Sequence, residues 1–168
     1  MSRFSAFSGN TKPLEYLRIY LILFSLCAIF SLLSPFFATW QNLVNIVLSS
    51  ATIGILTIGA VFVIGSRGLD LSIGSLLALS GAAAALAAGH EAPWPVIMLV
   101  CLLTGAVAGF VNGVIIARVG IPAFIVTLGT LSIARGLALI LTDGRPIYGL
   151  PDAVVFVGQG MLFGIPVP

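Results

Sequence analysis

Residues 65–85 read GSRGLDLSIGSLLALSGAAAA, a short polar turn that leads into a run of small and apolar residues. Apolar residues also precede the turn, so it joins two stretches that each approach the length of a membrane-crossing helix, about 20 residues. The whole chain of 168 residues follows this pattern, with 60% hydrophobic and 7% charged residues. A soluble domain has roughly a quarter charged residues, so the composition indicates an integral membrane protein.

Charges and prolines concentrate between five apolar stretches that are long enough to be transmembrane helices. The stretches are Leu17–Leu33, Leu43–Gly65, Leu71–Gly89, Pro95–Ala117 and Ile121–Leu141. They predict an all-α fold class, a polytopic helical membrane bundle of about five transmembrane helices. The same boundaries give a cytoplasmic N-terminus at residues 1–16, a five-span transmembrane region at 17–141, and an external loop at 142–168.

The positions of the lysines and arginines predict the orientation, because cytoplasmic segments carry an excess of these residues. With the N-terminus in the cytoplasm, the inner segments hold five of the seven basic residues: Arg3, Lys12, Arg18, Arg67 and Arg118. The outer loops then hold only Arg145. We therefore expect an N-in, C-out topology for the five spans.

Residues 142–168 combine many glycines and prolines with apolar side chains such as Val155, Phe156 and Leu162. The segment is too apolar for a solvated tail, and its glycines and prolines interrupt it too often for a helix. We expect a short re-entrant or surface-lying segment that leads into a further span.

Four of the five spans carry a stripe of small or polar residues at helical spacing. The fourth has Gly105, Gly109 and Gly113 at intervals of four residues, with Asn112 beside them. Close helix packing is the first interpretation, since small residues let backbones approach each other in lipid. The second is a polar path for a small uncharged solute such as a sugar, and its candidate residues are Asn45, Asn112, Thr127 and Arg135.

Arg135 is the one charge that lies well inside a predicted span. A charged side chain in that position is a functional candidate by default, because it is costly unless it is paired or hydrated. It lies in the outer third of the fifth span, however, so its long stem could also carry the guanidinium to the outer headgroups. Both interpretations stay open: snorkelling, and a buried structural or gating role.

The polar turn before the third span has a physical reason for several of its residues. Gly68 permits a sharp change of direction, Asp70 can cap the N-terminus of the third helix, and Arg67 can pair with Asp70. Small residues at the helix start allow close approach of its neighbours, and these are Ser72, Gly74 and Ser75. An ordinary capped turn on the cytoplasmic side explains the same residues.

Several function classes lack their required residues in this sequence. It contains no phosphate-binding loop of the form GxxxxGK followed by Ser or Thr, no HExxH and no GxSxG. Its single histidine is His90, and its two cysteines, Cys27 and Cys101, both lie inside apolar runs. These features argue against an enzyme, a metal site, a bound cofactor and a nucleic-acid-binding module.

The run Gly65–Ala85 closely resembles the signature of the ribose/xylose-type sugar permeases. These are the membrane subunits of bacterial ATP-binding-cassette importers for monosaccharides, and they are related to branched-chain amino acid permeases. Further stretches similar to that family follow in family order: Thr52–Ile64, Gly109–Ile147, Leu150–Gly160 and the terminal GIPVP. The resemblance covers most of the chain from about residue 40 onward.

The resemblance implies a multi-pass protein of the bacterial inner membrane that works with several partners. These are a second permease subunit, cytoplasmic ATPase subunits that use the ATP, and a periplasmic sugar-binding protein. It also assigns motif positions to this sequence: Arg67, Gly68, Asp70, Ser72, Gly74, Ser75, Gly109, Asn112, Gly113, Pro122, Thr127, Gly129, Arg135 and Gly136. Arg145 and Asp152 in the external loop are candidates for docking the binding protein.

The chain also departs from the family, whose permeases are about twice as long and have about ten spans. The predicted cytoplasmic loops, Ser66–Asp70 and Arg118–Gly120, are too short to form a helix on which an ATPase could act. We therefore expect the N-terminal half of a permease, as a truncated product, a partial sequence or one piece of a split gene. A non-transporting membrane scaffold and, less favoured, a secondary carrier are the alternative functions.

Overall fold

The computed structural model describes residues 12–162 and 165–167, with side chains described from Tyr16 to Leu162. Helices account for most of this part of the chain, and a short two-stranded sheet ends it. The elements in order are α1 (Lys12–Leu33), α2 (Trp40–Gly65), α3 (Ile73–Gly89), α4 (Trp94–Val114), a π-helical turn (Ile115–Val119), α5 (Ala123–Thr142), α6 (Asp152–Gln159), β1 (Gly160–Leu162) and β2 (Ile165–Val167). Most of the predicted N-terminal segment, including Arg3, lies outside the described residues.

The helices confirm the predicted polytopic membrane fold. Within the described residues, four helical segments are long and apolar enough to cross a bilayer: Tyr16–Leu33, Trp40–Gly65, Trp94–Val119 and Ala123–Thr142. Large apolar side chains on all four remain exposed, as Phe24, Phe62 and Phe110 show. Lipid is the solvent that suits such a surface, because it is as apolar as the side chains that face it.

The third predicted span is shorter than expected. The prediction starts the third transmembrane helix at Leu71, whereas α3 begins at Ile73 and contains 17 residues. At 1.5 Å per residue this helix is about 25 Å long, less than the hydrocarbon thickness of about 30 Å. The non-helical residues Gly68–Ser72, which precede it, must therefore supply part of the crossing.

The chain divides into two compact units, which meet in the sequence between Val47 and Leu48. In the first unit, the connection from α1 to α2 is fixed by local contacts. The Asn42 side-chain amide donates to the carbonyl of Phe37 at 2.7 Å, and the rings of Phe30 and Phe37 lie 5.6 Å apart. These contacts start α2 at a defined point after a tight turn.

In the second unit, α3 packs against both α4 and α5. Most of the buried apolar residues of these helices are small, with Ala82 and Ala85 from α3 and Ala134 from α5; Ile97 of α4 is the one large apolar side chain among them. The hydroxyl of Ser80 lies 3.5 Å from the position a Cβ would take at Gly105, so α3 and α4 are in close contact there. By contrast, no atom lies within 4 Å of such a Cβ at Gly109 or Gly113, and their packing role stays a prediction.

Contacts along these helices give their relative directions. Going up α3 from Ser72 to Ser80, the neighbouring residue on α4 changes from Asn112 to Gly105, so the two helices are antiparallel. The segment before α3 instead contacts the start of α5, through Leu69 and Thr127, and residues 74–82 of α3 border one pocket with residues 135–142 of α5, so these two helices run in the same direction. Helices α3, α4 and α5 therefore alternate in direction, as the sequence predicts for transmembrane helices.

Three helices end in the same hydrogen-bond pattern with a charged residue in the left-handed conformation. Arg67 (φ 62°) follows α2, Glu91 (φ 58°) follows α3, and Asp143 (φ 51°) follows α5. After α2, the Arg67 amide donates to the carbonyl of Ile64 and the Gly68 amide to that of Val63, both at 2.9 Å. This is the Schellman motif, which usually has glycine at the left-handed position. After α2 and α5 of this protein, glycine instead occupies the next position: Gly68 follows Arg67, and Gly144 follows Asp143.

The segment after α5 corrects one prediction. It was expected to be too interrupted for a helix, but Asp152–Gln159 forms the helix α6. Pro151 precedes the first turn, Asp152 places a negative charge near the helix N-terminus, and glycine or proline is absent until Gly158. The strands that follow pair antiparallel, with Gly160 opposite Val167 and Leu162 opposite Ile165.

The tight end of α2 predicts that Gly68→Ala destabilises the protein. A Cβ at this position would lie 3.1 Å from Cγ1 and 3.2 Å from the carbonyl oxygen of Val63. Overpacking of this kind costs about 1 to 3 kcal/mol, so the SDS concentration at the unfolding midpoint, followed by circular dichroism, should fall. Gly65→Ala is the matched control, since nothing lies within 4 Å of its Cβ position. Equal midpoints for both variants would contradict the assigned packing.

Candidate functional site

A pocket of about 670 Å³ lies where the turn after α2 meets the end of α4 and the start of α5. Apolar side chains, among them Val63, Ile116 and Ile121, form part of its wall. Eight of the residues that the sequence singles out also line it: Arg67, Gly68, Asp70, Gly109, Asn112, Gly113, Pro122 and Thr127. The fold thus brings together residues that are up to 60 positions apart in the chain.

Thr127 fixes the non-helical segment to α5. Its hydroxyl oxygen lies 3.1 Å from the carbonyl oxygen of Leu69 and 2.8 Å from that of Ala123, so both compete for its one hydrogen. The side chain is 2% exposed. The Thr127 hydroxyl thus offers a hydrogen-bond donor to the carbonyl of Leu69. In a continuous helix, a backbone amide would bond to that carbonyl instead.

A chain of polar side chains connects the same segment to α4 and α5. The carboxylate of Asp70 accepts hydrogen bonds from the Ser72 amide at 2.7 Å and from the Ser72 hydroxyl at 2.6 Å. The Asn112 amide nitrogen donates to the Ser72 hydroxyl at 3.4 Å, and the Thr130 hydroxyl donates to the Asn112 amide oxygen at 2.5 Å. Ser72 is fully buried and Asn112 is 5% exposed. We call Asp70, Ser72, Asn112 and Thr130 the polar cluster.

The polar cluster corrects the predicted roles in the turn. Asp70 was expected to cap α3, but the N-cap residue is Ser72, and its side chain makes no capping hydrogen bond. Asp70 bonds two residues ahead instead, a local contact that competes with helix formation. The polar contacts shown for its carboxylate are both with Ser72, so they do not include the predicted ion pair with Arg67.

The position of the polar cluster along its helices shows how far inside the bundle α3 begins. Thr130 comes seven residues after the start of α5, and Asn112 comes seven residues before Val119, the end of the π-helical turn. Seven residues correspond to about 10 Å of helix. The start of α3 is therefore about 10 Å from the ends of its two neighbours, and the residues Gly68–Ser72, which lie outside any helix, cover that depth.

The other predicted site residues lie elsewhere. Arg135 is exposed and lines a second pocket of about 360 Å³ between α3 and α5, together with Gly74 and Ser75. The predicted polar path is thus divided between two pockets, with Asn112 and Thr127 at the first. Further predicted residues do not border either pocket: Asn45, exposed on α2; Gly129 and Gly136 on α5; and the exposed Arg145 and Asp152.

The site contains one residue that the sequence did not single out as a solute contact. Thr130 lies three residues after Thr127, on the same stripe of the fifth span, and it is the partner of the Asn112 amide oxygen. The described part of the chain has no group of three His, Cys, Asp or Glu side chains that could hold a metal ion.

Comparison with known proteins places this geometry in a family context. Residues 42–158 match the family model described as branched-chain amino acid transport system / permease component. The ribose import permease protein of Haemophilus influenzae is 42% identical over 155 residues, which cover 90% of this chain and 48% of that protein. The D-allose transport system permease protein of Escherichia coli is 37% identical over 152 residues, which cover 89% of this chain and 46% of that protein.

An autoinducer 2 import system permease protein from Enterobacter is 34% identical over 149 residues, 89% of this chain and 43% of that protein. The chain therefore spans about half the length of the curated relatives it matches. No solved structure matches the chain.

The buried polar cluster predicts a clear effect of Asn112→Leu. The substitution removes the hydrogen bonds from Asn112 to Ser72 and from Thr130 to Asn112. Such bonds within membrane proteins average about 0.6 kcal/mol and reach about 1.7, so the free energy of unfolding in SDS should fall by about 1 to 3 kcal/mol. Asn45→Leu replaces an exposed asparagine on α2 and should leave this free energy unchanged. A loss of the same size in both variants would contradict the role of the polar cluster.

Proposed function

The chain belongs to the branched-chain amino acid transport system / permease component family, and on that premise we propose that it is a membrane-spanning permease component of an ATP-binding-cassette importer. Its solute is a monosaccharide of the ribose type, carried across the bacterial inner membrane. The observation that carries this proposal is the 42% identity to a ribose import permease over 90% of the chain.

The nature of the solute is supported by the named relatives and by the pocket chemistry. Two of the reported relatives are named for a monosaccharide, ribose or D-allose. The pocket presents amide, hydroxyl and peptide groups together with one charge of each sign, from Arg67 and Asp70. Such a mixture favours a neutral polar solute over an ion, since either ion would face a charge of its own sign.

Energy for transport comes, in this proposal, from another polypeptide. The sequence has no phosphate-binding loop, so ATP is used by a cytoplasmic ATPase subunit and not bound by this chain. A periplasmic sugar-binding protein delivers the solute on the outer face, where Arg145 and Asp152 are candidates for contact. A second permease subunit, or further permease spans, completes the passage, because the relatives are about twice as long as the matched region.

The break before α3 supports a role in solute passage. Non-helical backbone at membrane depth is tolerated only where it is buried in protein or lines a water-filled cavity. Residues Gly68–Asp70 line the pocket at the end of the bundle that holds both predicted cytoplasmic loops. We assign this pocket to the inner part of the passage, with water able to reach about 10 Å into the bundle, the length of seven helical residues.

A chimeric permease tests the proposed function. This chain replaces the matching segment of the Escherichia coli ribose import permease, to which it is 41% identical over 147 residues, in a strain that lacks that permease. We expect uptake of radiolabelled D-ribose above the level of the deletion strain, and co-purification of the chimera with the ATPase subunit.

A chimera that inserts and recovers the ATPase but takes up no ribose contradicts the proposed solute. A chimera that fails to recover the ATPase is followed by affinity purification of the tagged chain from its native membranes after cross-linking. Absence of both an ATP-binding-cassette ATPase and a solute-binding protein from that preparation contradicts the proposed importer.

A further inference from the structure

The break before α3 contains peptide groups that the rest of the described chain does not satisfy. The carbonyl of Leu69 is bonded to Thr127, and the amide of Gly68 to Val63. Among the hydrogen bonds of the described residues, the amides of Leu69 and Asp70 and the carbonyls of Gly68 and Asp70 have no partner. All three of these residues line the 670 Å³ pocket. Such groups need water or another polar partner at membrane depth, so this part of the pocket suits a polar occupant that can replace water.

Two charged side chains line the pocket beside these peptide groups. One carboxylate oxygen of Asp70 accepts both hydrogen bonds from Ser72, which fixes the carboxylate and leaves its second oxygen without a partner among the described residues. Arg67 is exposed and sits in the left-handed conformation at φ 62°.

The combination of groups selects the chemistry of the occupant. Arg67 disfavours a cation and Asp70 disfavours an anion, whereas a hydroxyl group both donates and accepts hydrogen bonds. A polyol with neighbouring hydroxyls can therefore bond to the two side chains and to the unpaired amides and carbonyls together. The apolar wall, which includes Val63 and Ile116, suits its C–H groups. The volume is within the range of about 300 to 1,000 Å³ that is usual for small-molecule sites.

We propose that Arg67, Asp70 and the peptide groups of residues 68–70 form a binding site for a neutral polyol at the inner end of the passage. This inference rests on the proposed function and names the residues that contact the solute at this site. Asn112 and Thr127, which the sequence suggested as solute contacts, are positioning residues here. Their polar groups are already bonded to Ser72, Thr130 and Leu69, and they hold the broken segment against α4 and α5.

Binding of radiolabelled D-ribose to the purified chain in lipid nanodiscs tests the site, by a scintillation proximity assay. Asp70→Asn is the sharpest variant, because the amide oxygen can still accept the bonds from Ser72, while an NH2 group, which only donates, replaces the second oxygen. Hydrogen bonds to charged groups are worth about 1.5 to 3 kcal/mol, so the dissociation constant should rise about tenfold or more. Arg67→Asn removes the guanidinium with a residue that tolerates the left-handed conformation, and a rise of similar size is expected.

Asp143→Asn is the matched control, since it removes a carboxylate at an equivalent left-handed position after α5 and outside the pocket. Its affinity for ribose should equal that of the unmodified chain. The SDS unfolding midpoint of each variant shows whether it is folded, and Arg67→Asn decides the matter if Asp70→Asn unfolds.

The outcomes separate this inference from the proposed function. Ribose binding that is undiminished in both folded pocket variants overturns the site. Displacement of the radiolabelled ribose by inorganic phosphate, and not by unlabelled ribose, overturns it as well. Absence of ribose binding by the chain, with ribose uptake by the chimera intact, overturns the site and leaves the proposed function standing. Absence of both binding and uptake overturns the two together.

Discussion

A peptide group inside a bilayer must find a hydrogen-bond partner, and the break before α3 makes this requirement acute. Residues Gly68–Ser72 leave the helical ladder about 10 Å from the ends of the neighbouring helices, taken as seven residues of rise. The fold meets part of this requirement: the Thr127 hydroxyl of α5 bonds to the Leu69 carbonyl, and the Asp70 carboxylate accepts from the Ser72 amide. Asn112 of α4 holds the Ser72 hydroxyl. Three helices are thereby fixed at one level, and the pocket forms beside the same residues.

Small residues make this arrangement geometrically possible. In lipid, apolar burial does not drive helices together, so association depends on close packing and internal hydrogen bonds. Buried Ala82, Ala85 and Ala134 keep α3 near α5. The Ser80 hydroxyl lies close to α4 at Gly105, where there is no side chain between the two helices. Larger side chains at these sites would separate the helices and move Ser72 away from Asn112.

Length and hydropathy decide the helical membrane fold class, four of the five predicted spans and the alternating directions of α3, α4 and α5, so these could be predicted. The sequence identified four residues as positions of the family motif, Arg67, Asp70, Asn112 and Thr127, but it did not show that they surround one pocket. The helix start was misplaced because Asp70 has two local options, a bond to Ser72 or a cap on α3, and the choice depends on partners from α4 and α5. Likewise, Gly68 was expected to permit the sharp change of direction, whereas the residue in the left-handed conformation at this turn is Arg67.

The most direct measurement of the central claim is a nuclear magnetic resonance study of the isotopically labelled chain in lipid nanodiscs. Carbon chemical shifts should be non-helical from Gly68 to Leu71 and helical from Ile73, with through-space contacts between the Asn112 side-chain amide protons and Ser72. Helical shifts that run without interruption from Gly68 to Leu71, and an Asn112 amide without contact to Ser72, would contradict the account.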